Sequence, residues 1–199
     1  MDKPPLDGIV VVDLTWNLPG PYASLILASL GAEVIKVEPP RGDPARSMPK
    51  LFATLNRGKR GVTVDLTTEA GKARLNALLA GADVVLEGFR PGVADRLGCG
   101  AAEVRARHPR IVYCSISTWG QTGPLRDLPG HDLNAQALSG VCHLGRDAAG
   151  HPHGLPLPVA DLSAAMSAVA SITAALVGRA ADGQGRTLDV AMLDGAVSW

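Results

Sequence analysis

Residues 8–38 read Gly8-Ile-Val-Val-Val-Asp13, Leu14-Thr-Trp-Asn-Leu-Pro-Gly-Pro21, Tyr22-Ala-Ser-Leu-Ile-Leu-Ala-Ser-Leu30, Gly31 and Ala32-Glu-Val-Ile-Lys-Val-Glu38. The first run is short and β-branched, the mark of a strand buried on both faces. A loop runs to Pro21, and the helical stretch after it is stopped by Gly31 as a C-terminal cap. The last run is a second strand, ended by Pro39-Pro40 because proline removes a ladder donor. Strand, helix and strand make a βαβ unit whose two strands are expected to lie parallel.

The alternation continues along the chain. Gly61 to Leu66 is strand-like, and Thr67 can cap a helix over 68–80 with Glu69 in its first turn and Gly81 beyond its end. Asp83 to Glu87 and Arg110 to Ser115 are further strands, with a polar helix at 101–108 between them. Alternating strands and helices predict an α/β fold, an open and mostly parallel sheet with flanking helices. From Ser117 the chain changes character. A Gly, Pro and Thr-rich loop reaches Pro129, a short helix runs from Asp132 to Gly140, and a second loop rich in Gly, Pro and His reaches Pro158. A long apolar helix then starts at Asp161, and Gly183 to Ala191 reads as turn plus strand. The stop at Trp199, just after a helix-like start, is read as a fragment or a truncated product.

With 199 residues the chain has room for one domain, or one and a part. It is 46% hydrophobic and 19% charged with no net charge, which excludes a polybasic or acidic tail protein and gives no electrostatic case for nucleic acid. The three cysteines, Cys99, Cys114 and Cys142, share no CxxC spacing, so neither a disulfide framework nor a zinc site is indicated, and a reduced, cytoplasmic protein is expected. No secretory signal opens the chain. The most apolar stretch, Leu162 to Val177, is short of the ~20 residues a bilayer needs and is broken by serines, so a buried helix rather than a membrane anchor is expected.

An N-terminal βαβ unit invites a dinucleotide. The loop Thr15 to Pro21 lacks the GxGxxG that lets backbone approach a pyrophosphate, and without it Glu38, where a ribose-binding acid would lie, says little. There is no Walker A pattern. His143, His151, His153 and Cys142 match no standard metal spacing, and no metal is expected. Trp16, Trp119 and Trp199 are either ligand contacts or packing residues.

Two positions carry candidate chemistry. His131 lies in Pro129-Gly-His-Asp132, just before a short helix, and Asp161 in Pro158-Val-Ala-Asp161, at the start of the long one. Helix N-termini present unpaired N–H groups that hold an anion and lower the pKa of a nearby acid or imidazole. Two such ends with a histidine and a carboxylate could hold a thioester oxygen that becomes negative, and move protons beside it. Equally, Asp161 could be a plain N-cap and His131 a loop histidine bonded to backbone.

The runs Trp119-Gly-Gln-Thr-Gly-Pro124, Gly130-His-Asp-Leu-Asn134 and Ala137-Leu-Ser-Gly140 resemble the segment that carries the catalytic histidine of α-methylacyl-CoA racemases, and Val159-Ala-Asp161 resembles the segment with their catalytic aspartate. Leu18-Pro-Gly-Pro21, Leu30 to Glu38, Leu55-Asn-Arg-Gly-Lys-Arg60, Glu87-Gly-Phe-Arg-Pro-Gly92 and Gly183-Gln-Gly-Arg186 extend the likeness over almost the whole chain, in matching order. The chain thus resembles the family III (CaiB/BaiF-type) CoA-transferases, and most of all their racemase branch. The resemblance implies a Rossmann-like large domain and a CoA thioester as substrate, with no prosthetic group. In the transferase branch the aspartate matching Asp161 is a nucleophile that forms anhydride and CoA-thioester intermediates, and the position of His131 is usually not histidine. In the racemase branch the two residues form an acid/base pair that moves the α-proton of a 2-methylacyl-CoA through an enolate. Because the histidine is present, racemase chemistry is expected, with CoA transfer through Asp161 as the alternative and a silent fragment that binds CoA or a partner chain as another. Asp132 orients the helix start in this reading, without a catalytic role.

For CoA itself the resemblance points to Arg57, Lys59 and Arg60, to Val64, Asp65, Leu66 and Thr67, to Phe89 and Arg90, and to Gly130, Asp132, Leu133 and Asn134; clustered cations suit phosphates and glycines admit backbone, although any one cation could belong to an ordinary solvated face. The family usually has an arginine directly after the acid that ends the second strand; here Pro39 stands there, with Arg41 and Lys36 nearby. Family members are roughly two average domains long. Residues 1–199 therefore correspond to the N-terminal CoA-binding domain, and the resemblance places a small domain, a returning segment and a further active-site glutamate outside them. It also implies an interlocked homodimer, with no nucleic-acid or membrane partner.

Overall fold

The computed structural model describes residues 3–199. In chain order its elements are β1 (Val10–Asp13), α1 (Pro19–Ser29), β2 (Glu33–Glu38), a 3-10 turn (Pro44–Ser47), α2 (Pro49–Asn56), β3 (Arg60–Thr63), α3 (Glu69–Leu79), β4 (Val84–Glu87), α4 (Val93–Arg96), α5 (Ala101–Arg107), β5 (Val112–Ser117), α6 (Asp132–Ser139), α7 (Val141–Leu144), α8 (Val159–Asp182), β6 (Thr187–Ala191) and α9 (Met192–Val197). The six strands form one sheet in the order β3-β2-β1-β4-β5-β6. Every neighbouring pair is parallel.

The period of two along each strand divides the core between the two faces. In β1, Val11 packs with Leu27, Ala164 and Ile172 under α1 and α8. Val12 points the other way, with Leu75, Leu79 and Val104 of α3 and α5. Both faces of β1 and β4 are buried, which is why these strands read as continuous apolar runs. The order reverses between β1 and β4. At such a point the two flanking connections leave to opposite sides, and a crevice opens at the carboxyl ends of the strands.

Several sequence boundaries move: β3 ends at Thr63 rather than Leu66, and Thr68 rather than Thr67 caps α3. α1 begins at Pro19 rather than Tyr22, because proline is well placed in a first turn. β5 runs two residues further than read, to Ser117. α8 begins at Val159, which puts Asp161 third in the helix instead of at its cap. The short helices α2, α4 and α7 are not singled out in the sequence; at four to eight residues they carry too little periodicity to stand out. The apolar helix α8 is 24 residues long and contains an 18-residue stretch of mean hydropathy 1.6, enough by length and composition to cross a bilayer. Here it is a core helix, packed on α1, α9, β5 and β6.

Gly71 shows how closely the helices sit on the sheet. A Cβ at this position would overlap the carbonyl oxygen of Asp65. Backbone cannot step aside as a side chain can. Gly71→Ala is therefore expected to destabilise the fold by about 1–3 kcal/mol, read as a lower denaturation midpoint at unchanged slope.

Candidate active site

The loop after β1 is held by buried charge. Asp13 ends β1 with no exposure. Its carboxylate accepts from the Thr15 N–H (2.9 Å), the Thr15 hydroxyl, the Ser24 hydroxyl (2.6 Å) and the Lys59 ammonium (3.2 Å). Burial alone would raise this carboxyl, but Lys59, Lys36 and the two hydroxyls bring it below its ordinary value. Lys36, in the middle of β2, donates to the Thr15 carbonyl and to Asp43 (2.9 Å). Asp43 also accepts from the Asn17 N–H (3.2 Å), and Asn17 sits at φ 62°. A left-handed, non-glycine backbone persists only where its surroundings fix it, and here Asp43 does so.

Glu38 is committed to the same scaffold. Arg46 grips it with two hydrogen bonds (2.7 and 2.8 Å), and the Asp43 N–H donates to it (2.9 Å). Both of its oxygens thus accept from Arg46, and Oε2 from Asp43 as well.

Two depressions open where the sheet order reverses. The first, about 230 Å³, lies among the loop 15–20, the loop 88–91, the end of β5 and the segment 126–131, with Asp161 on one wall. It brings His131 and Asp161 together, along with Arg90, Arg126 and Trp119. The second, about 680 Å³ and more apolar, is a groove between Pro39–Arg41, residues 64–67 and residues 88–90. Trp16, Gly88, Phe89 and Arg90 border both, so the two lie side by side with these residues between them. Trp16 stands at the junction, edge-on to Phe89 (5.7 Å, 86°) and beneath the Arg41 guanidinium (5.3 Å). Its indole N–H is buried with no acceptor among the described residues.

His131 precedes the first turn of α6 with extended backbone, and its N–H donates to Asn134 Oδ1 (2.9 Å). Gly130 places it. A Cβ there would meet Thr118 and the Trp119 ring, and the Thr118 hydroxyl donates to the Gly130 carbonyl (2.7 Å). Only glycine lets the chain pass this closely.

Asp161 is half-buried, and its carboxyl is pushed up to about 7, first by burial and then by the Asp132 charge. This reverses the sequence expectation that the helix start would lower it. The Ala160 and Asp161 N–H groups donate to Asp132 Oδ1 (2.8 and 3.1 Å). The start of α8 is therefore already occupied by an anion, and these two groups are not offered to a substrate oxygen.

The remaining sequence candidates divide. Val64, Asp65, Leu66, Thr67, Phe89 and Arg90 line the groove, and Gly130 lines the first depression. Asp132, Leu133 and Asn134 border neither depression; Asp132 and Asn134 bond within the helix starts, and Leu133 is exposed. Lys59 is corrected outright: its side chain is 1% exposed, and its ammonium is used up on Asp13, Ser24, the Pro21 carbonyl and Asn56. Arg60 pairs with Glu33 at the amino ends of β2 and β3, away from the crevice. Arg57 is exposed after α2 and borders neither depression. Lys36, near Pro39 in sequence, points into the buried cluster. Arg41 and Arg90 are the cations left on the groove. Among the described residues no three His, Cys, Asp or Glu side chains come together as a metal site would require.

Sequence reading missed the cluster of Asp13, Lys36, Asp43 and Lys59. A signal existed, since Lys36 interrupts an apolar strand and a buried ammonium demands a partner.

Residues 6–199 match the family model described as CoA-transferase family III. The chain is 40% identical to a Mycobacterium tuberculosis protein named "probable fatty acyl-CoA transferase", over 97% of this chain and 52% of that protein. It is 39% identical to the acetyl-CoA:oxalate CoA-transferase of Acetobacter aceti, over 99% of this chain and 53% of that enzyme. The crystal structure of a CaiB/BaiF family protein from Brucella suis superposes with a TM-score of 0.95 at 36% identity, covering 99% of this chain and 55% of that one. The chain spans about half the length of the curated relatives it matches.

Proposed function

Since the chain belongs to CoA-transferase family III, we propose that it forms the CoA-binding and nucleophile-bearing part of an enzyme that moves CoA between carboxylic acids, with Asp161 as the covalent carrier. The observation that carries this reading is the position of Asp161, a half-buried carboxyl on the wall of a depression that adjoins the larger groove. The names of the relatives add support: acetyl-CoA:oxalate and succinate–glutarate CoA-transferases are among them. They favour transfer over the racemase chemistry expected from His131.

The proposed steps balance without an added reagent. An Asp161 oxygen attacks the thioester carbon, the C–S bond breaks, CoA leaves as thiolate, and a mixed anhydride remains. The thiolate attacks the Asp161 carbonyl carbon, forming an aspartyl thioester and releasing the donor acid. The acceptor carboxylate attacks that thioester and displaces the thiolate, which then attacks the acceptor acyl carbon. New acyl-CoA departs and the Asp161 carboxylate returns. The chain supplies a partly dry site that strengthens the carboxylate as a nucleophile. Arg41 and Arg90 are the proposed phosphate contacts, and Trp16 and Phe89 the walls past which the thioester arm runs.

A second reading rests on His131, which shares the depression with Asp161 and would form an acid/base pair on either side of an α-carbon. One experiment separates the two. Acyl-CoA and a free dicarboxylic acid are incubated with the whole protein in D₂O. CoA appearing on the added acid, with no deuterium at the α-carbon, is expected. Deuterium uptake by 2-methylacyl-CoA without CoA transfer would replace the transferase reading with the racemase one.

A homodimer is also proposed, as the resemblance implies. Leu133 and Leu138 of α6 and Leu144 of α7 are 60%, 58% and 85% exposed, apolar surface of the kind that a partner covers.

A further inference from the structure

We infer that Asp132 is a positioning residue for Asp161, its one carboxylate clamping the start of α8 to the start of α6. Nothing in α8 itself performs this task. The residue before its first turn is Pro158, which makes no side-chain cap, and a helix start without a cap frays readily. Asp132 reaches across from the first position of α6. Its Oδ1 accepts the Ala160 and Asp161 N–H groups (2.8 and 3.1 Å), and its Oδ2 accepts from the Gln136 side-chain amide.

Gln136 extends the clamp. It is 1% exposed. Its amide nitrogen also donates to the Leu157 carbonyl (3.2 Å), and its oxygen accepts the Leu155 N–H (2.9 Å). The approach to α8 is thus tied at residues 155, 157, 160 and 161 to two side chains one turn apart on α6. His131 immediately precedes Asp132. The two groups that share the depression are therefore fixed to one another through a single carboxylate.

The clamp has an electrostatic consequence, resting on the reading of Asp161 as nucleophile. From α6 and the segment before it, Asp161 is faced by Asp132, His131 and Arg126, and from the loop after β4 by Arg90. The contributions of α1 and α9 to this wall, Pro19, Gly20 and Met192, are uncharged. A fixed anion at Asp132 opposes ionisation of Asp161 and strengthens the carboxylate once formed.

The test compares Asp132→Asn and Asp132→Ala in the whole protein. Asparagine keeps an acceptor oxygen for the two N–H groups and removes the charge. The acid limb of its pH–rate profile is expected to move down by about half a pH unit, about threefold in rate well below the limb. Alanine removes the clamp, and kcat is expected to fall about tenfold or more with KM for acyl-CoA little changed. An unmoved limb in Asp132→Asn, or a wild-type kcat in Asp132→Ala, would overturn the inference. Mass spectrometry of Asp161 in the same samples separates the two readings. A moved limb with no acyl or CoA adduct keeps the role of Asp132 and discards the nucleophile. An adduct with an unmoved limb does the reverse.

Discussion

Asp161→Asn in the whole protein is expected to lower kcat for CoA transfer by at least about 10³-fold, with KM for acyl-CoA little changed. An amide cannot open the thioester or carry CoA, yet it fills the same space and leaves the N–H groups of α8 bonded to Asp132. The proposed CoA contacts, Arg41 and Arg90, line the groove, so binding is expected to survive. The wild-type enzyme should also lose activity on the acid side. The Asp161 carboxyl is raised to about 7, so its reactive, ionised fraction falls as the pH drops through neutrality. Steady-state rates from pH 5.5 to 9 check both parts; an Asn variant within tenfold of wild type would remove Asp161 from the chemistry.

Lys59→Met is expected to cost about 3–5 kcal/mol of stability. The methionine has nearly the right shape, so little packing is lost. What is lost is the cation beside Asp13, a carboxylate with no exposure, and an uncompensated buried charge is among the largest single-site penalties. Asp13→Asn in the same background should return part of the loss, because the pair is then removed together. The pH dependence has a definite sign. The folded Asp13 carboxyl lies below its ordinary 3.8, so its contribution is complete above that value and is lost as the pH falls below it. Chemical denaturation of the whole protein and the two variants measures this. A Lys59→Met protein as stable as wild type but weak in CoA binding would restore the phosphate role that its position in sequence suggests.

The fold was legible because the central strands β1 and β4 are buried on both faces. Ile9 to Val12 and Val84 to Leu86 are apolar at every position, and turns or capped helices separate them. The alternation forces parallel strands and leaves their carboxyl ends on one edge, but the crevice there came only with the strand order. His131 and Asp161 were legible from their motifs, and the structure brings them to one depression. What could not be read was which charges face inward. Arg57, Lys59 and Arg60 look alike in sequence, yet one is exposed, one is buried on Asp13, and one closes the far end of the sheet on Glu33. Their fates depend on Asp13 and Glu33, which are distant in sequence. The environment of Asp161 was hidden for the same reason. A helix start alone would lower its pKa, but Asp132 arrives from another helix and takes the N–H groups first.

The central claim is that Asp161 becomes covalently acylated. Mixing the whole protein with acyl-CoA, adding hydroxylamine within the first turnovers, and sequencing peptides by mass spectrometry tests it directly, since hydroxylamine converts an aspartyl anhydride or thioester into a stable hydroxamate. A hydroxamate at Asp161 that requires acyl-CoA and is absent from Asp161→Asn is predicted. An unmodified Asp161 under conditions in which CoA is being transferred would contradict the account.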